Sequence, residues 1–358
     1  MAVLNFFMTY VLMQILDEQV PRATFFKNRY FPTSEADIFH SDKVLTEYRD
    51  GDRKMAAFVA PRVGDIPIAR RGYEIHEYEP AYIAPSRNLT LDELNKRGFG
   101  EAIYANVDEQ VRAARIMAQD LVDLDARITR REEWMAVKTM IENGCTMQEY
   151  IDATTKGDQL IVKFYDGETS GHTYTVSKKW NETDGSAYDD VQAMARLLSR
   201  RGLAASDLIL GADAYDAFLK DEKIKTMLDR NTAFNDATVN ETLTGDEGVT
   251  YIGTLNFGGF RLAVFCADEE CEDEAGTAAK LFPATSAMVT APGCGHMMYG
   301  QITQIDLGQT NFTTYAKARV PKVFVNQDTD TRKIRIASRP LAAPKNKNPY
   351  IYAANVVA

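Results

Sequence analysis

The residues best suited to chemistry in this chain are Cys294-Gly295-His296, with Cys266 and Cys271 upstream. Thiolate and imidazole together suggest zinc. Zinc sites usually bring two close ligand pairs, however, and Cys-x4-Cys followed by one Cys-x-His is a poor match. Buried small residues with a surface histidine fit that spacing better. The other histidines, His40, His76 and His172, stand in no recognisable nucleophile motif, so a catalytic triad is not supported. Asp268-Glu269-Glu270-Cys271-Glu272-Asp273-Glu274 carries six acids in seven positions. It lacks the Asp-x-Asp-x-Asp-Gly order of a calcium loop and reads as a solvated tip. Phe257-Gly258-Gly259-Phe260 has no phosphate-cradling spacing and reads as a turn. Arg127, Arg130 and Arg131 could touch DNA, but acids at 123, 125, 132 and 133 make pairing along the helix the default. The sequence yields no catalytic set, metal site or cofactor site. A metal-dependent hydrolase built on Cys294, His296 and the acidic run is the alternative of a different class.

Composition narrows the field further. The chain has 358 residues, 45% apolar and 26% charged, which is ordinary for a folded protein. A net charge of −10 argues against a dedicated nucleic-acid binder, which needs basic surface to displace counterions. An acidic wall enclosing DNA remains compatible with it. Four cysteines (Cys145, Cys266, Cys271, Cys294) form no disulfide framework and read as reduced thiols of a protein made in a cytoplasm.

The elements that would position these residues follow in order. Met1 to Leu16 carries no charge but stops at Asp17, short of the about 20 apolar residues a membrane span needs. Leu4, Met8, Val11, Leu12 and Ile15 fall at helical spacing and suit an amphipathic arm packed on a partner. Residues 54–88 are extended and interrupted by Pro61, Pro67, Pro80 and Pro85, which cannot donate to a sheet ladder. Phe58, Val59, Ile66, Ile68, Tyr73, Ile75 and Tyr78 give this arm apolar surface for a neighbouring subunit, with Arg70 and Arg71 at its tip. Val111, Ala114, Met117, Leu121, Leu124, Ile128 and Met135 predict a helix over 108–143, a rod about 54 Å long, with two shorter helices broken near Thr129 as the alternative. A hairpin is predicted over 159–177, a helix from Tyr188 to Arg201, a buried strand at Leu208–Gly211 and a helix near Ala212–Leu219. Residues 231–248 read as a surface loop. Strands follow at Val249–Ile252, Phe260–Phe265, Ala287–Thr290 and Met298–Ile302, then a terminal pair, Phe312–Val325 and Lys333–Ser338.

The order of these elements resembles the lambda-type tailed-phage major capsid protein family, often called the capsid protein E family. The similarity is carried by Phe25 to Phe31 with Pro32-Thr33-Ser34-Glu35, by Ala60-Pro61-Arg62-Val63-Gly64 through Tyr78-Glu79-Pro80-Ala81-Tyr82-Ile83-Ala84-Pro85, and by Asp189 to Arg230. Phe282-Pro283, Tyr299-Gly300 and Lys317-Ala318-Arg319-Val320-Pro321-Lys322 complete it. The resemblance implies an α+β, Hong Kong 97-type phage capsid fold. Its parts would be an N-terminal arm (1–46), an extended loop (47–95), a peripheral domain with the spine helix (96–185), an axial domain (186–308) and return strands of the peripheral domain (309–358). It implies a non-enzymatic shell subunit of the virion, assembling as hexamers and pentamers around double-stranded DNA without sequence-specific binding. Separate scaffold and protease proteins, a portal and a small trimeric decoration protein are the implied partners, and no membrane. A non-viral compartment shell of the same fold is the alternative.

Overall fold

The computed structural model describes residues 13, 24–48, 74–90, 109–151, 155–164, 171–227, 237–243, 248–273, 276–326 and 331–358. Its longest element follows from the apolar stripe. The spine helix runs Glu109–Glu142 without a break at Thr129. Met117, Leu121, Leu124 and Ile128 bury its first half against Leu89, Val323, Ile334 and Ile336. Met135, Ala136, Val137 and Met140 bury its second half in a larger cluster with Phe25, Phe26, Tyr30 and Phe31. Each such large side chain contributes roughly 1.5–3 kcal/mol. The helix stops at Asn143, whose φ of 53° is tolerated by asparagine better than by most side chains. Asn143 Nδ2 donates to the Phe164 carbonyl, and its Oδ1 accepts from the Tyr350 hydroxyl.

That stop sends the chain straight into a strand, Gly144–Tyr150, which pairs antiparallel with Lys156–Lys163. The hairpin expected over 159–177 is therefore displaced: residues 159–163 pair backwards with 144–148, not forwards. Thr173–Tyr174 instead joins a seven-stranded sheet, beside Ile351–Ala353.

The seven-stranded sheet has the order Thr173–Tyr174, Ile351–Ala353, Ala287–Thr290, Asp207–Gly211, Phe260–Ala267, Val249–Phe257, Ala237–Leu243. Its central strand, Asp207–Gly211, is buried at every residue, because both faces are covered. Leu208 and Leu210 face the helices Ala187–Arg201 and Ala212–Lys220, packing with Val191, Met194, Leu198 and Phe218. Ile209 points the other way, into the cluster shared with the spine helix. Ser186 caps the first helix by accepting from the Asp189 amide, and Gly202 at φ 75° ends it. Ala237–Leu243 is a strand and not the loop expected over 231–248. Its pairing with Val249–Phe257 supplies the order that its Thr- and Asn-rich composition hides.

Gly295–Tyr299, assigned from sequence to the axial unit, pairs with Pro340–Pro344 next to the aromatic helix Phe25–Tyr30. Ile351–Ala353, assigned to the peripheral return strands, lies in the seven-stranded sheet. The strand expected at Met298–Ile302 is two strands, because after Gly300 the Gln301 amide turns away to the Ser41 carbonyl. The long strand expected over Phe312–Val325 also divides. Phe312–Tyr315 pairs with Ile302–Ile305, whereas Val320–Asn326 pairs with Thr331–Ala337. Ser86–Leu89 adds a third strand to the latter pair.

Candidate functional site: the anchor on the spine helix

Among the carboxylates described on the spine helix, Glu132 is the most completely buried. Glu132 occupies the apolar side between Ile128 and Met135, and its side chain is 0% exposed. A carboxylate there must be paired. Arg319 supplies a bidentate pair, Nη1 to Oε1 at 2.6 Å and Nη2 to Oε2 at 2.9 Å. Lys27 Nζ donates to Oε2 at 2.6 Å. The same guanidinium donates from Nε to Asp125 at 2.6 Å and from Nη1 to Ser338 Oγ at 3.2 Å. Burial alone would raise the Glu132 pKa, but the Arg319 and Lys27 charges outweigh it and hold the carboxyl at about 2.

Glu133, one residue on, has a different task. The aromatic helix begins after Thr24, which makes no side-chain capping bond. Glu133 replaces that cap from across the core, accepting the amides of Phe26 at 2.6 Å and Lys27 at 2.7 Å. The far end of the same short helix is tied to the central sheet. Arg29 donates from Nε and Nη2 to Asp207 at 2.6 and 3.1 Å, and the Tyr30 hydroxyl donates to Asp207 at 3.0 Å. Nearer the start of the spine, Arg87 bridges Asp120 at 2.6 Å and Asp123 at 3.0 Å, fastening the edge strand Ser86–Leu89. At its end, the Tyr350 hydroxyl lies 2.9 Å from the Thr139 carbonyl and shares its one proton between that oxygen and Asn143 Oδ1.

The pairing expected within the helix is thus corrected. The carboxylates at 123, 125, 132 and 133 meet Arg87, Arg319, Lys27 and the amides of the aromatic helix. Glu132 and Glu133 face inward while Asp123 stays exposed, and the cations that reach Asp123, Asp125 and Glu132 come from other segments.

The proposed chemical residues are not brought together. His296 Nδ1 lies 3.5 Å from Asp37. That carboxylate already accepts from the Ser34 amide and hydroxyl, each at 2.7 Å. All four cysteines are free. Burial pushes the Cys145 and Cys294 thiols up to about 12, and burial followed by Asp268 and Asp216 pushes Cys266 to about 11, so these remain protonated and poorly nucleophilic. Among the described residues no group of three or more His, Cys, Asp or Glu could hold a metal ion, and no helix is long and apolar enough to cross a membrane.

Of the proposed interface residues, Leu4, Met8, Val11, Leu12, Ile15, Phe58, Val59, Ile66, Ile68, Arg70, Arg71 and Tyr73 lie outside the described residues. Ile75 is placed by its backbone alone, in register with Glu47. The Tyr78 ring stands 5.1 Å from Phe164 of its own chain and is half-buried there.

What the arrangement does is mechanical. It locks an N-terminal segment, an edge strand and a returning strand onto one helix. The sequence profile of phage major capsid protein E matches residues 8–355. This chain belongs to the phage major capsid protein E family. Like its relatives in that family, it is a structural protein of the virion shell. It is 26% identical to the major capsid protein of Escherichia phage lambda over 310 residues, covering 85% of this chain and 86% of that one. Against the major capsid protein of Enterobacteria phage phi80 the identity is 24% over 309 residues, again 85% and 86% of the two chains. A solved structure described as a prophage capsid protein of Escherichia coli CFT073 superposes with a TM-score of 0.65 at 17% identity, covering 97% and 98%. A phage-related protein of Bordetella bronchiseptica RB50 gives 0.53 at 11%, covering 98% and 97%. The fold is thereby α+β of the Hong Kong 97 capsid type, as the family resemblance implied.

Proposed function

We propose that this capsid protein E family member assembles as hexamers and pentamers into an icosahedral shell around double-stranded phage DNA, and that it does so without enzymatic activity. The observation carrying this reading is the buried joint at Glu132. Two segments far apart in sequence, those of Lys27 and Arg319, meet one rigid helix there, which suits a tile that must keep its shape under load. Scaffold and protease act as separate proteins, a portal occupies one vertex, and a small trimeric decoration protein docks outside. DNA is enclosed without sequence-specific contacts, as the net charge of −10 favours. Residues 54–88 serve as the arm reaching the neighbouring subunit. Electron microscopy of purified, nuclease-treated protein is expected to show uniform closed shells; soluble monomers at every concentration would refute the reading. Boiled particles, with or without reductant, should run as one band at 40.1 kDa.

A further inference from the structure

The sheet of Val320–Asn326, Thr331–Ala337 and Ser86–Leu89 has two faces. Val323, Ile334, Ile336 and Leu89 bury one of them on the spine helix. Strand alternation puts Val320, Lys322 and Phe324 on the other, beside Ala337, Arg335 and Lys333. One end of this second face is covered, since Val320 and Ala337 pack with Ile302, Tyr315 and Met13. The other end is cationic. Lys322 and Arg335 are direct cross-strand neighbours, and both stand over the Phe324 ring, with Nζ at 4.5 Å and Cζ at 5.1 Å from its centroid. Lys333, opposite Phe324, is exposed.

Like charges directly opposite on a sheet repel. Among the described residues, compensation from within the chain is thin. Asp306 is shared with Tyr315 and Gln304, and Arg335 reaches Gln304 only at 3.5 Å. The Arg335 Nε is buried with no hydrogen-bond partner among the described residues. Burial, then the Arg335 charge, pulls the Lys322 ammonium below its usual pKa.

A face of this kind is built to receive carboxylates, and the chain carries a complement. Strand Glu270–Glu272 pairs with Ala278–Lys280. Cys271 packs inward on the main cluster, so alternation turns Glu270 and Glu272 outward, where both are exposed. We propose that Glu270 and Glu272 dock on Lys322, Lys333 and Arg335 of a second copy of this chain. The inference rests on the shell reading above. Two unlike patches on one chain make a head-to-tail contact, the kind that closes into rings. The phosphates of DNA are the competing occupant. A complement carried by the same chain, present in equal number to the basic face, favours the second copy.

The test uses the full chain under conditions in which the parent assembles, so that failure of the shell reading shows first in the parent. Shell yield is read by sedimentation and microscopy at low and high salt, and folding by circular dichroism. Lys322→Glu with Lys333→Glu, and separately Glu270→Lys with Glu272→Lys, should each lower the yield at low salt at least about tenfold, while all four changes together recover it to within about threefold of the parent. Should Lys322→Glu unfold the sheet, Lys333→Glu against Glu272→Lys at two exposed positions makes the same comparison. Assembly of either reversed pair at the parental yield would overturn the proposal. So would a combined variant no better than its parts, including one in which basic-face reversal changes only the DNA content.

Discussion

The lobe around Asp207–Gly211 and the joint around Glu132 are both buried, yet they are held by different physics. In the lobe, Leu208, Leu210, Val264, Phe218 and Ile351 meet as apolar surfaces, and attraction there is non-directional. In the joint, a carboxylate, a guanidinium and an ammonium meet at 2.6–2.9 Å, and removing one leaves the others stranded in the interior. A lobe of the first kind tolerates reshaping at constant volume. A joint of the second kind fixes register, because only one placement of the Arg319 segment and the aromatic helix satisfies all three charges.

The sharpest way to break this contrast is Arg319→Met, which strips Glu132 of its bidentate partner. The expected loss is about 3–5 kcal/mol in denaturant unfolding of the unassembled subunit. Replacing Lys27, Glu132 and Arg319 together by methionine should recover most of that loss, since no buried charge is then left alone. A triple variant as unstable as the single one would mean that the joint acts through shape and not charge.

In the lobe, Leu208→Ala should cost about 2–5 kcal/mol through the cavity it leaves, and Leu208→Met less than about 1.5 kcal/mol. Equal losses for the two would erase the distinction between volume-tolerant and charge-intolerant regions.

Acid provides a third handle, specific to the joint. Glu132 titrates at about 2 in the folded chain against an ordinary value of 4.5. Its pKa is depressed by folding, so its contribution is fully present above pH 4.5 and is lost as pH falls toward 2. The difference amounts to roughly 3 kcal/mol. Stability of the parent should fall across that window more steeply than that of Glu132→Gln, followed by unfolding midpoints at each pH.

The smallest effect is expected at Arg87, which is 39% exposed and meets one buried and one exposed carboxylate. Arg87→Ala should cost no more than about 1 kcal/mol, less at high salt. A loss comparable to that of Arg319→Met would show that solvent contact does not weaken the outer fastening.

The spine helix was legible because its apolar stripe is long and regular. Glu132 was legible in principle, as an acid on that stripe. Its partners were not: Lys27 lies 105 positions away and Arg319 187, and no local rule links such distances. Local spacing therefore points the acids to neighbouring arginines on the same helix. Asp166-Gly167 and Ser170-Gly171 are strong turn signals that point to a hairpin over 159–177, whereas the pairing is set by the helix stop at Asn143. Three-residue Ile351–Ala353 and two-residue Thr173–Tyr174 are too short for any periodicity, and only the sheet makes them strands.

The position of Ile351–Ala353 has a consequence for timing. It stands between Ala287–Thr290 and Thr173–Tyr174, so Thr173–Tyr174, the earliest strand described in that sheet, has no partner in it until residues 351–353 are made. At roughly 5–20 residues per second of synthesis, the wait after Thr173–Tyr174 lasts on the order of ten seconds or more. During that interval a nascent chain holds an unfinished sheet edge and cannot take the shape of a tile. The order of synthesis therefore sets when that edge of the sheet can close, and no chain closes it before residues 351–353 are made.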